Sequence, residues 1–161
     1  MIEVERIALL PTAPAVYAMY GGRGPGLYIA YVGVADNLRR RAEQHLVRRS
    51  SSVTTGVATV GLDPDNVTEL RWWTDPTFAK RIVLEAAELV AFDVLDPALR
   101  SRGRVTAQAQ LLYADEAFHE RMEGVIGGPP AGRLVLPTLQ DALDRIAALE
   151  RRLDEIANRL G

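Results

Sequence analysis

The chain has 161 residues, no cysteine and a formal net charge of −2. That length suits one compact domain with an appendage, and the missing thiols exclude disulfides, cysteine nucleophiles and thiolate zinc sites. No apolar run is long enough to span a bilayer, and Glu3 and Glu5 stand where a signal peptide would carry positive charge, so the expected location is cytoplasmic with no membrane partner.

Segments 15–20 (AVYAMY) and 27–34 (LYIAYVGV) are rich in Tyr, Val and Ile and predict two strands. The glycine- and proline-rich stretch 21–26 between them predicts a hairpin turn. A first helix is expected from about Asp36 to Arg48, with Leu38, Ala42 and Leu46 as its apolar stripe. Ser50, Ser51 and Ser52 mark a polar break. Segment 67–73 (VTELRWW), after Asp63-Pro64-Asp65-Asn66, predicts a third strand. A second helix is expected to open at Asp75-Pro76 and to run to about Leu95, where Asp96-Pro97 ends it. A third is expected over 114–125. The stretch Gly127-Gly128-Pro129-Pro130-Ala131-Gly132 predicts a linker.

The last segment opens on Thr138-Leu139-Gln140-Asp141, close to a capping box. Leu139, Ile146, Leu153 and Leu160 then recur at heptad a positions, with Ala142, Leu149 and Ile156 at d. This predicts a short coiled coil and a homodimer through the C-terminal helix. A parallel pairing sets Arg145 at g against Glu150 at e of the second copy, whereas an antiparallel one crowds Arg145, Arg152 and Arg159. The expected architecture is α+β: a small three-stranded, mainly antiparallel sheet flanked by helices over 1–126, a linker over 127–137, and a coiled-coil helix over 138–161.

The candidate chemistry gathers on the hairpin and first helix. Arg39, Arg40, Arg41, Arg48 and Arg49 stand against Glu43 alone. On a helix, His45 points nearly along the Leu38 direction and Arg41 lies one turn earlier on the same flank, while Arg40 points to solvent. Strand alternation puts Tyr31 and Gly33 on one face, with Tyr28, Ala30, Val32 and Val34 on the other. Tyr17 shares a face with Met19. A glycine two residues after a tyrosine leaves room for a ligand to approach the backbone.

Three ordered segments, Ala15-Val16-Tyr17, Tyr31-Val32-Gly33, and Asn37-Leu38-Arg39-Arg40-Arg41 followed by His45, resemble the GIY-YIG nuclease family over about the first 60% of the chain. The resemblance implies a metal-dependent endonuclease acting on DNA. Tyr17 and Tyr31 would flank the attacked phosphate, one of them helping to deprotonate water; which one stays open. Arg41 would stabilise the transition-state charge. His45 would take part in proton transfer or phosphate contact, or serve as a structural histidine. A glutamate on the second helix would hold one divalent ion, Mg2+ or Mn2+. Glu85 is preferred, on the edge of the helix's apolar face; counting back from Pro97 favours Glu88, which the helical wheel points away. Arg39, Arg40, Gly33 and Arg100 are the candidate contacts to nucleic acid. The alternative is a weak or inactive module on the same scaffold that binds nucleic acid or another partner. His119, among Glu116, Glu120 and Glu123, is expected on the surface, and Trp72-Trp73 as core on one side of the strand and cover on the other.

Overall fold

A computed structural model describes residues 4–21, 28–50, 63–100 and 103–160. The chain begins with a short helix α1, Val4–Ile7. Strand β1, Ala15–Gly21, then pairs antiparallel with β2, Ile29–Ala35, and with β3, Val67–Trp73. These are the three expected strands. Most of the turn expected over 21–26, with Leu27, Ser51 and Ser52, lies outside the described residues.

The sheet is larger than expected. Its strand order is β4-β2-β1-β3-β5. β4, Leu99–Arg100, runs parallel to β2, and β5, Gly132–Val135, runs antiparallel to β3. The fold is therefore α+β with a five-stranded mixed sheet, not a three-stranded one. Both additions are short edge strands, and β5 falls inside the stretch 127–137 expected as a linker. Gly132 is required there: a Cβ on it would lie 2.1 Å from Trp72 Cζ2, so only glycine lets β5 close on β3.

The register of β1 on β2 passes from Met19–Tyr31 to Tyr20–Ile29, which makes Ala30 the extra residue of a bulge. Ala30 accordingly packs in the core that holds Tyr31 and not with Val32 and Val34, where simple alternation put it.

The helices differ from expectation in their breaks. Asn37, not Asp36, caps α2, Leu38–Ala42, its side chain accepting from Arg40 N at 3.0 Å. The helix then widens into a π turn over Glu43–Val47. Asp75 caps a 3-10 turn, Pro76–Ala79, and the extended backbone of Lys80 separates that turn from α3, Arg81–Leu95. Asp96, left-handed at φ 42°, ends α3 as expected. The helix expected over 114–125 is α5, Glu116–Ile126, capped by Asp115, and a further helix that was not expected, α4, Ala107–Ala114, capped by Thr106, precedes it.

The sheet divides two cores. On one face Tyr17, Met19, Tyr31 and Leu70 pack with Leu38 and Leu46 of the first helix, and with Ile7, Leu10 and Leu136. On the other, Val16, Ala18, Val32 and Val34 pack with Leu84, Ala87, Val90 and Ala91 of α3 and with Met122 of α5. Trp73 is buried in this second core and Trp72 is half-buried against the first. Truncating one of the fully buried leucines, Leu84 for example, costs on the order of 2–5 kcal/mol.

Helix α6, Leu139–Leu160, spans 22 residues and buries none of them. Its N-terminus is closed by Thr138 Oγ1, which accepts from Asp141 N at 3.1 Å, while Asp141 Oδ2 accepts from Thr138 N at 2.7 Å. Among the described residues no helix is long and apolar enough to cross a membrane.

Candidate active site

Tyr17 on β1 stands opposite Gly33 on β2. That pairing decides the geometry. A Cβ on Gly33 would meet Tyr31 Oη at 2.9 Å and Tyr17 Oη at 3.0 Å. Both phenol hydroxyls therefore converge over the one position in β2 that carries no side chain. The rings sit 6.0 Å apart, and the two phenols share a hydrogen bond.

His45 completes the cluster. The π turn carries its ring to 5.9 Å from Tyr17 and 5.5 Å from Tyr31, centre to centre. Its Nε2 lies 2.7 Å from Tyr17 Oη. Burial lowers the imidazole pKa to about 4, with help from the Arg41 charge. A neutral imidazole has one donor and one acceptor nitrogen, so Tyr17 O–H donates to His45 Nε2 in the tautomer that carries its proton on Nδ1, and accepts from Nε2–H in the other. Burial also pushes the Tyr17 phenol well above its ordinary value; Tyr31 adds to the rise, Arg41 opposes it, and the negative charge of Glu88 contributes. Tyr17 is thus a proton-bearing hydroxyl and not a phenolate.

Arg41 is half-buried, and its charge acts on both Tyr17 and His45. Tyr17, Tyr31 and His45 are 1%, 4% and 1% exposed, so the cluster itself is buried whereas Arg41 is only half-buried. Tyr17, Tyr31, Gly33, Arg41 and His45 are brought together as expected.

The remaining candidates sit elsewhere. Arg39 is exposed, and its Nε donates to the carbonyl of Leu10 at 2.8 Å, tying the N-terminal segment to α2. Arg40 faces solvent. Arg100 pairs with Val32, on the face opposite Tyr31, and lies 5.3 Å from the Phe92 ring.

Glu85 and Glu88 are both buried, at 6% and 4% exposure. Glu85 Oε1 takes Arg81 Nε at 2.9 Å, and Oε2 takes Thr106 Oγ1 at 3.0 Å and Thr106 N at 3.3 Å. Arg81 extends the network to Asp36 at 3.1 Å. Hydrogen bonding to Arg81 holds the Glu85 carboxyl below its usual range against the effect of burial. This network joins α3, the cap of α4 and the turn before α2. Its sequence signal was the Arg81–Glu85 spacing of one helical turn.

The helical wheel misjudged Glu88, which is buried and does not point away from the fold. The α3 residues that share a core with the sheet are Leu84, Ala87, Val90 and Ala91, whereas Ile82 is 39% exposed. Glu88 lies one turn from Leu84 and Ala91, on the flank of the sheet-facing side, and its charge reaches Tyr17. Glu85 lies farther round, toward Thr106. Among the described residues no three His, Asp or Glu side chains converge as a metal-binding group. A divalent ion here would have one protein carboxylate and would complete its shell with water and substrate oxygens, a set that suits magnesium. Glu85 has both oxygens engaged by Arg81 and Thr106; Glu88, on the α3 side of the sheet, is the carboxylate whose charge acts on Tyr17.

No family model, no curated protein and no solved structure matches the chain.

Proposed function

We propose that the chain is a metal-dependent endonuclease that hydrolyses DNA phosphodiester bonds, as the GIY-YIG resemblance implies. One observation carries the reading: two phenol hydroxyls meet over Gly33, one of them is hydrogen-bonded to a neutral His45, and the charge of Arg41 acts on both partners of that bond. Hydrolysis needs an activated water and a cation at the developing negative charge.

The phosphate docks against Arg41. Its negative charge offsets the Arg41 effect on His45 and raises the basicity of the imidazole. Water attacks phosphorus beside Tyr31. Its proton passes to Tyr31, that of Tyr31 to Tyr17, and that of Tyr17 to His45 Nε2, while the P–O bond to the leaving oxygen breaks and that oxygen is protonated by water. Arg41 stabilises the charge that grows on the non-bridging oxygens. Glu88 would hold a divalent ion, Mg2+ or Mn2+, which supplies further neutralisation of phosphate charge.

A second reading, a module that binds nucleic acid or a partner without cutting, is favoured by one fact. Tyr17 and His45 are each 1% exposed, as a structural hydrogen bond in a core would be. Incubation with supercoiled, linear and branched DNA separates the two. The nuclease nicks or cuts at least one of these with Mg2+ or Mn2+, and chelation stops it; binding without cleavage under either ion supports the module.

The second partner is another copy of this chain, paired in parallel through α6. Leu139, Leu143, Ile146, Leu149, Leu153 and Ile156 are 49–65% exposed on that helix, and an isolated helix with an uncovered apolar stripe is marginal in water. Two copies would hold two cleavage sites at a set separation.

A further inference from the structure

Glu69 on β3 is 5% exposed and meets two guanidinium groups. Arg71 Nε lies 2.5 Å from its Oε1, and Arg133 Nε lies 3.1 Å from the same oxygen. Arg133 Nη2 reaches Oε2 at 3.3 Å. Arg71 on β3 and Arg133 on β5 are directly paired across the two strands. Tyr20 pairs with Glu69 on the adjacent strand, and the Arg71 guanidinium stacks 4.3 Å above its ring.

One carboxylate therefore faces two fixed cations, and the cluster keeps a charge of one positive. A buried carboxylate needs a partner, but a single bidentate arginine meets that need. The second leaves surplus charge at an open edge of the sheet. The Arg133 side chain is 60% exposed and that of Arg71 is 29% exposed. Glu69 takes the Nε side of each group, so the outer N–H donors present toward solvent. Two long side chains are thus ordered before any ligand arrives, which removes much of the entropic cost of engaging an oxyanion.

We propose that Arg71 and Arg133, oriented by Glu69 and Tyr20, form a phosphate-binding fork that grips the DNA backbone at the β5 edge, on the sheet face opposite the tyrosine cluster. Planar paired guanidinium donors match two phosphate oxygens. The inference rests on the proposed function in taking DNA as the source of that phosphate. It does not require cleavage.

The test is anisotropy of a labelled DNA duplex titrated with the full chain over a series of NaCl concentrations. Arg133→Gln leaves Arg71 on Glu69 and keeps the fold, as thermal melting will check. Its affinity falls about tenfold and the log–log salt slope drops by about one. Arg133→Lys keeps the slope and recovers only part of the affinity. Unchanged affinity and slope in a folded Arg133→Gln overturns the fork while leaving the nuclease reading standing. If the unaltered chain binds no duplex, the DNA source fails along with that reading. Inorganic phosphate titrated against the Arg71 and Arg133 Nε–H NMR signals then decides the fork: a saturable shift of both upholds an oxyanion site for free phosphate, and no shift ends it.

Discussion

Tyr17 Oη and His45 Nε2 lie 2.7 Å apart in the interior, on elements 28 positions apart in sequence. The bond orients the imidazole and, in the tautomer protonated at Nδ1, gives the phenol proton a destination. It also links folding to pH. The His45 pKa falls from 6.5 to about 4 on folding, first through burial and then through Arg41. Below pH 6.5 the unfolded chain takes up a proton that the folded chain refuses. Stability is therefore full above pH 6.5 and declines as pH falls toward 4, by up to about 3 kcal/mol. Urea unfolding between pH 7.5 and 4.5 should show this slope, and His45→Asn should lose most of it.

Gly33 is the second lever. Gly33→Ala sets a methyl at 2.9 Å from Tyr31 Oη and 3.0 Å from Tyr17 Oη. Both rings are buried, so the variant should lose about 1–3 kcal/mol and displace the phenols. Thermal melting measures the first effect. A shift in the tyrosine near-ultraviolet circular dichroism measures the second, and an unchanged spectrum would mean that the hydroxyls do not meet over residue 33.

The two buried glutamates should separate cleanly. Glu85→Gln keeps the shape but weakens the tie to Arg81 and Thr106, so it should destabilise by about 1–3 kcal/mol while the folded fraction cuts within about threefold of normal. Glu88→Gln should fold well and lose cleavage by about 100-fold or more. Denaturation curves beside cleavage rates decide this. A stable Glu85→Gln that is dead, with Glu88→Gln active, would restore Glu85 as the metal ligand.

What the sequence disclosed follows the range of the forces involved. Val67–Trp73 was legible to the residue because its β-branched and aromatic run is introduced by a cap at Asp63 and Pro64. Tyr17, Tyr31, Arg41 and His45 were legible because strand alternation and one helical turn are local rules. β5 was not: its four residues lie in a Gly/Pro-rich stretch, and their only ladder is the distant β3. The Glu88 flank was not legible either, because α4 and α5 also pack on α3 and bury Ala86 on a second side. A helix covered on two sides has no single apolar direction for a wheel to find.

The α6 helix carries a prediction about mass. The full chain should scatter light as a dimer, and a chain ending at Pro137 should be monomeric and folded. Ending at Gly128 would instead remove β5 and Leu136, which is 2% exposed, and so confuse association with unfolding. A Glu150→Arg change should weaken the dimer by setting like charge against Arg145, by about 0.5–1 kcal/mol for each such pair. A monomeric full chain would remove the two-site arrangement.

The cluster of Tyr17, Tyr31 and His45 with Arg41 as the seat of phosphodiester cleavage is tested most directly by single-turnover cutting, with enzyme in excess over a labelled DNA substrate and Mg2+ or Mn2+ present. Arg41→Ala should slow the chemical step by about 100-fold or more with little change in DNA affinity, because its contact strengthens as charge develops at phosphorus. Arg40→Ala should alter affinity and its salt dependence while the bound complex cuts at nearly the normal rate. Equal, small effects from both substitutions would contradict the assignment of this cluster as the cleavage site.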